Sequence, residues 1–274
     1  MNKMQDFSPP TTISAIEAKL VEFVALSQHW TMADTRVDSE IVWAISSVPS
    51  YQLNNVAGAN LPADDVDKTL ETVIALGQTK QVPIIWWIGP STKPNNLSQC
   101  LEKKGFIHVS TIPGMAIDLL TIDMKTPALD NFRITKVESD EALETLNHVA
   151  AKGIDSPDYA EKATYELFSA VAQQPNSSFN HYIGWLDNTP VATTSMLLTA
   201  EVAGIFNVVT LPEVRKRGIG SAMTLHALQE ARTQGGHMGV LHASPMGLSV
   251  YKNLGFETFC QLELFLWGHQ YIQQ

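Results

Sequence analysis

Two dipeptides recur at a single spacing. Leu61-Pro62 and Leu211-Pro212 lie 150 positions apart, and so do Gly105-Phe106 and Gly255-Phe256. Each pair brackets a helical pattern, a continuous apolar run and a second, short helix in the same order, which is how a duplicated structural unit reads. A chain of 274 residues is long enough for two such units with cores of their own. The polar stretch 121–131, with Pro127 and Asp130, separates them, so residues 1–125 and 131–274 are expected as domains.

The periodicities fill in each unit. Apolar residues at helical spacing mark 13–26 (Ile13, Ile16, Leu20, Phe23, Val24), 64–76, 97–104, 140–152, 158–172, 220–233 and 248–254. Strands are expected at 41–47, 82–88, 106–119, 132–137, 181–186, 191–198, 203–210, 239–243 and 259–267, with a further short apolar stretch after the Pro49-Ser50 turn. Gly105, Gly235-Gly236 and Gly255 each follow a helical run, where a left-handed residue ends a helix. The expected class is α/β (α+β), each half a mixed, mostly antiparallel sheet flanked by helices.

Composition removes several functions. The formal net charge of −10 opposes binding to a phosphate backbone, so no nucleic-acid partner is expected. No apolar run reaches membrane-spanning length, and the first ten residues lack the apolar centre of a signal peptide, so no membrane partner and a cytoplasmic location are expected. Cys100 and Cys260 fit reduced thiols, and no Cys/His cluster at ligand spacing calls for a metal. Trp86-Trp87, Trp185 and Trp267 lie in apolar strands and read as core. The acidic run 64–67 reads as a helix N-terminus favoured by carboxylates.

The chemistry concentrates in residues 207–222. This stretch reads as a strand ending at Val209-Thr210, a turn begun by Pro212, the basic run Arg215-Lys216-Arg217, then Gly218-Ile219-Gly220-Ser221 opening a long helix. Glycines let the backbone turn sharply and aim N–H groups at a ligand, and the basic residues add positive charge beside them. This is an anion site in outline. A dinucleotide fingerprint would place its third glycine at 223, which is Met223, and a phosphate loop would need Gly-Lys-Ser/Thr. Under the 150-residue register, Arg215 aligns with Asp65, Gly218 with Lys68 and Gly220 with Leu70, so the first copy is expected to have lost the site.

Arg215 to Gly220 resembles the Arg/Gln-x-x-Gly-x-Gly/Ala signature of the GNAT acyltransferase superfamily. The preceding Val-Val-Thr-Leu-Pro-Glu and the later Val250-Tyr251-Lys252-Asn253-Leu254-Gly255-Phe256 are similar to that family's flanking motifs, in order and at suitable distances. The resemblance covers about 132–267 and reaches the first unit only through the repeat. It implies two tandem GNAT-like domains, the first degenerate and without cofactor. It also implies acetyl-CoA as acyl donor, its pantetheine arm along Val209 and Thr210, and its pyrophosphate held by Arg215, Lys216, Arg217, Gly218, Ile219, Gly220 and Ser221. A small amine or an amino-terminal group would be the acceptor. Tyr251 takes the position of the acid that protonates the departing thiolate, a task suited to a phenol that keeps its proton at neutral pH. It also lies on an apolar helix face, where packing alone would explain it. Ser244 could bond the cofactor arm or cap the strand end before Pro245, and both readings stand.

The general base stays unassigned. The strand 204–210 holds no carboxylate, and Asn207 relaying to Glu201 or His242 is the remaining possibility. That gap, with the degenerate first copy, keeps a second class in view: a non-catalytic acyl-CoA sensor. Oligomeric state is not legible in the sequence.

Overall fold

The computed structural model describes residues 7–125 and 129–272. Residues 126–128 of the expected domain junction lie outside them. In chain order the elements are α1 (Pro9–Ala25), β1 (Ala33–Val37), β2 (Val42–Ser46), β3 (Asn54–Ala57), α2 (Val66–Lys80), β4 (Ile84–Ile88), α3 (Leu97–Lys103) and β5 (Ile107–Asp118). They continue with β6 (Phe132–Lys136), α4 (Asp140–Gly153), α5 (Asp158–Ala172), β7 (Phe179–Leu186), β8 (Thr189–Thr199), β9 (Val202–Thr210), α6 (Ile219–Thr233), β10 (Met238–His242), α7 (Leu248–Asn253) and β11 (Glu257–Trp267). The expected class is the one observed. The strand β1 has no counterpart in the expectations, because Ala-Asp-Thr-Arg-Val carries no apolar alternation.

The elements gather into two compact units that do not follow a single boundary in sequence. The larger holds residues 7–16, 114–125 and 129–259, and the smaller holds 17–113 and 260–272. Within the larger unit the strands run in the order β5-β10-β9-β8-β7-β6. All neighbours are antiparallel except β9 and β10, which run parallel over 202–204 and 238–240. The smaller unit repeats this plan as β1-β2-β3-β4-β11, with β3 and β4 its parallel pair. In each, a helix (α6 or α2) carries the chain between the parallel strands. The strand that closes each sheet comes from the other half of the sequence: residues 114–118 of β5 pair with β10, and residues 263–267 of β11 pair with β4. A contiguous split at 125/131 therefore differs from the compact units, because composition marks where a chain turns polar and not where its last strand docks.

Local chemistry sets the ends of the elements. Ser139 caps α4 by accepting the Ala142 N–H at 3.2 Å, with Asp140 and Glu141 in the positive first turn. The β7–β8 hairpin turns on Asp187 and Asn188, both left-handed, the form that matches strand twist. Leu241, Ala203, Met196, Met223 and Leu228 join in the core of the larger unit, and Trp86, Ile84, Val56, Leu70 and Phe265 in that of the smaller. Trp86, fully buried, is core as expected.

The 150-residue register breaks before the helix and is restored between the following strand and the Gly-Phe pair. The two 15-residue helices α2 and α6 start at Val66 and Ile219, which are 153 positions apart. The loop before the helix is thus three residues shorter in the first copy. Aligned by helix start, Gly218 corresponds to Asp65, Gly220 to Asp67, and Met223 to Leu70, both of the last pair being fully buried core residues. The expected pairing of Gly220 with Leu70 is corrected accordingly.

Gly153, the last residue of α4, lies so close to β9 that a Cβ there would overlap Val209 Cγ1. Gly153→Ala is expected to lower stability by about 1–3 kcal/mol through overpacking. A urea unfolding curve checks this, and an unchanged midpoint would contradict the close approach of α4 to β9.

Candidate active site

In the larger unit the parallel pairing of β9 with β10 covers Val202–Gly204 and Met238–Val240 and stops there, while β9 runs on to Thr210. The second half of β9, from Phe206 onward, is half-buried where the first half is buried. Strands that part in this way leave one backbone edge without a neighbouring strand, a surface to which an extended group can add. A bulge accompanies the parting. Thr193 pairs with Val209 and Ser195 with Phe206, so two residues of β9, Asn207 and Val208, stand against one of β8.

The loop after β9 completes the opening. Lys216 and Gly218 are both left-handed (φ 61° and 83°), and Gly218 sits at the N-cap of α6. Alternation of this kind turns successive N–H groups to one side and forms an anion-binding concavity. The first regular helical bond is donated by the Ala222 N–H to Gly218 C=O, so the preceding N–H groups belong to the open first turn of the helix. A Cβ on Gly220 would meet its nearest atom, Thr210 Oγ1, at 3.7 Å, ordinary van der Waals contact without a clash. Lys216 and Arg217 are exposed. Ile219 is 2% exposed, so its side chain serves the core and only its backbone N–H faces the turn. Ser221 is half-buried in the same turn.

Arg215 does something the sequence did not reveal. Its Nε donates to Thr210 C=O at 3.0 Å, and its terminal nitrogen donates to Gly153 C=O at 2.7 Å. The guanidinium thus ties the loop to the end of β9 and to the C-terminus of α4, where a cation offsets the negative helix end. The exposed positive charge of the loop comes from Lys216 and Arg217.

The end of β10 carries the second group. Ser244 Oγ accepts the Gly247 N–H at 3.2 Å, the bond of a turn that opens α7. Tyr251 lies beside that turn, its ring edge 2.7 Å from where a Cβ on Gly247 would stand. The tyrosine is 8% exposed, packs edge-on to Phe256 at 5.8 Å, and burial pushes its phenol up to about 12. It therefore holds its proton throughout the neutral range. His242 stands at the end of β10, hydrogen-bonded to the Ile16 backbone, and burial pulls it down to about 4. Glu201 is elsewhere: with Ala200 it forms the β8–β9 turn, at the end of β9 opposite the loop, roughly 30 Å away at strand rise.

With this geometry in hand, residues 145–256 match the family model described as Acetyltransferase (GNAT) family. That segment of the larger unit is similar to the GNAT acetyltransferases. A GCN5-related N-acetyltransferase from Kribbella flavida is similar at 20% identity and a TM-score of 0.68, over 91% of this chain and 95% of that one. A tandem GNAT protein from the clavulanic acid biosynthesis pathway is similar at 12% identity and 0.60, over 94% and 95%. A GCN5-related N-acetyltransferase from Sphaerobacter thermophilus is similar at 12% identity and 0.61, over 95% and 93%. At such identities these likenesses establish the fold, and their coverage extends it over both units. No curated protein matches the chain.

The smaller unit has the same parallel pair without the opening. Beyond Val56 and Trp86, the Lys93 N–H donates to Ala59 C=O at 2.8 Å and the Leu61 N–H donates to Lys93 C=O at 3.1 Å, so the chain itself occupies the edge. At the helix start Asp67 stands where the larger unit has Gly220, a carboxylate where an anion would enter. Among the described residues no group of His, Cys, Asp and Glu could hold a metal, and no helix is long and apolar enough to cross a membrane.

Gly220→Asp copies that difference into the larger unit. The space is there, and a carboxylate at a helix N-terminus stabilises the free protein. We expect an unchanged or slightly raised melting temperature together with about 100-fold weaker CoA binding from charge repulsion. Normal CoA affinity in this variant, measured by calorimetry, would contradict the assignment of the loop.

Proposed function

We propose that the larger unit transfers an acetyl group from acetyl-CoA to the nitrogen of a small amine or an amino-terminal group. The observation that carries the reading is the left-handed Lys216–Gly218 turn at the N-terminus of α6, set directly after the open end of β9. The turn offers N–H groups and two exposed cations to a pyrophosphate, and the edge of β9 at Val209 and Thr210 offers hydrogen bonds to an extended arm. Acetyl-CoA supplies the activated acyl group and a thiol leaving group.

The chain's own residues then have divided tasks. Lys216, Arg217 and the N–H groups of Gly218, Ile219, Gly220 and Ser221 neutralise phosphate charge. Arg215 fixes the loop that presents them. Tyr251 keeps its proton at Oη and shares it with the departing sulfur as the C–S bond breaks and the sulfur gains charge, and the proton shed by the acceptor nitrogen as the amide forms restores the phenol, so that amide and free thiol are the products. Ser244 holds the turn against which Tyr251 packs, and in this reading the same hydroxyl also borders the arm. The smaller unit binds no CoA.

The experiment is Tyr251→Phe, which removes one oxygen from a buried ring. Thiol release from acetyl-CoA is followed with a panel of small amines and amino-acid amides. We expect kcat to fall by about 100-fold or more with the Kd for acetyl-CoA unchanged. Wild-type kcat in the variant would reduce Tyr251 to packing.

A further inference from the structure

The bulge in β9 is tied to the interior by a line of three polar side chains. Asn207 is left-handed (φ 51°), and its own carbonyl accepts the Thr193 hydroxyl at 2.8 Å. Its Nδ2 donates to Ser195 Oγ at 3.3 Å, and Ser195 Oγ lies 2.8 Å from His181 Nδ1. Ser195 is fully buried on β8, and His181 is 5% exposed on β7. The imidazole is stacked on Phe168 at 5.0 Å and meets Phe179 edge-on at 4.4 Å.

Polar groups this deep are costly unless each is bonded, and an apolar trio would fill the same space without that cost. The line has one chemical effect that an apolar trio lacks. A carboxamide can be turned end for end with little change in shape, so its orientation is set only by partners. A serine hydroxyl has one hydrogen. In the Nε2–H tautomer of the neutral imidazole that hydrogen goes to His181 Nδ1, which leaves Ser195 Oγ to accept from Asn207 Nδ2, in keeping with the 3.3 Å contact. The amide nitrogen is then held toward Ser195, and the amide oxygen is left on the other side. Burial pushes His181 down to about 3, so the imidazole is neutral through the neutral pH range.

We propose that Ser195 and His181 are positioning residues, which lock the Asn207 carboxamide at the bulge of β9 so that its oxygen accepts a hydrogen bond from the incoming acceptor nitrogen. This rests on the acetyl-transfer reading for the role of Asn207, but the coupling of the three side chains stands apart from it. The acceptor would be oriented by a neutral oxygen, and the site would favour nitrogen nucleophiles that bring an N–H to donate.

Two measurements test it. The first is the side-chain N–H₂ signal of Asn207 in a nitrogen–proton correlation spectrum, assigned by its loss in Asn207→Ala. His181→Phe keeps an aromatic ring among Phe168 and Phe179, and Ser195→Ala removes only the hydroxyl. Both are expected to shift or broaden the Asn207 pair while the backbone spectrum stays native. An Asn207 pair that is unmoved in both variants would overturn the proposal. The second is thiol release from acetyl-CoA with alanine amide and phenethylamine as probe acceptors. His181→Phe should lower kcat by about tenfold through misplacement, with the Kd for acetyl-CoA unchanged. The double variant His181→Phe/Asn207→Ala should lose no more than Asn207→Ala alone. Losses that multiply would show that His181 acts independently of Asn207 and would overturn the proposal. A wild-type protein that binds acetyl-CoA yet turns over neither probe would count against the acetyl-transfer reading, while the spectra would still decide the coupling.

Discussion

The structure of the larger unit depends on two parallel strands that stop pairing. Had β9 and β10 continued their ladder past Gly204 and Val240, the β10 side of 205–210 would be covered by a neighbouring strand and no extended ligand could pair there. The bulge at Asn207 and Val208 accompanies the change, since an extra residue on one strand bends it and strengthens its twist. The Arg215 guanidinium then holds the displaced strand end against the C-terminus of α4. With the strand end fixed, the left-handed turn at Lys216 and Gly218 and the first turn of α6 follow beside it.

The smaller unit shows the same plan with each of these conditions removed. Its loop is three residues shorter, so there is no basic left-handed turn before α2. Its parallel strands part and are bridged again by Lys93. Asp67 places a carboxylate at the helix start, where Lys104 approaches it at 3.4 Å. The two units share the sheet plan and its core, and differ in the loop and strand edge beside the helix start.

Much of this was legible in the sequence, for physical reasons. Helices and strands were read from apolar spacing because burial on one face is what holds them. The loop was read from Gly218 and Gly220 because few other residues suit a sharp turn into a helix. The Tyr251 position was found through motif resemblance, and its burial was anticipated from the apolar helix face it shares with Val250 and Leu254. What was not legible depends on partners distant in the chain. The partners of Arg215, the carbonyls of Thr210 and Gly153, come beside it only in the folded chain. The exchange of closing strands leaves no mark in composition, because β5 and β11 look like strands wherever they dock. The three-residue shift was hidden by the Leu-Pro and Gly-Phe pairs, which sit outside the loop and keep their 150-residue spacing on either side of it. The line His181–Ser195–Asn207 joins three strands, and while Asn207 draws notice as a polar residue on β9, its partners His181 and Ser195 do not.

The central claim is that one of two related units kept the site. Titration of the intact protein with CoA by calorimetry tests it most directly. The account predicts a stoichiometry of one CoA per chain. Two equivalents bound per chain would contradict it, since the second would have to occupy an edge already taken by Lys93 and a helix start guarded by Asp67.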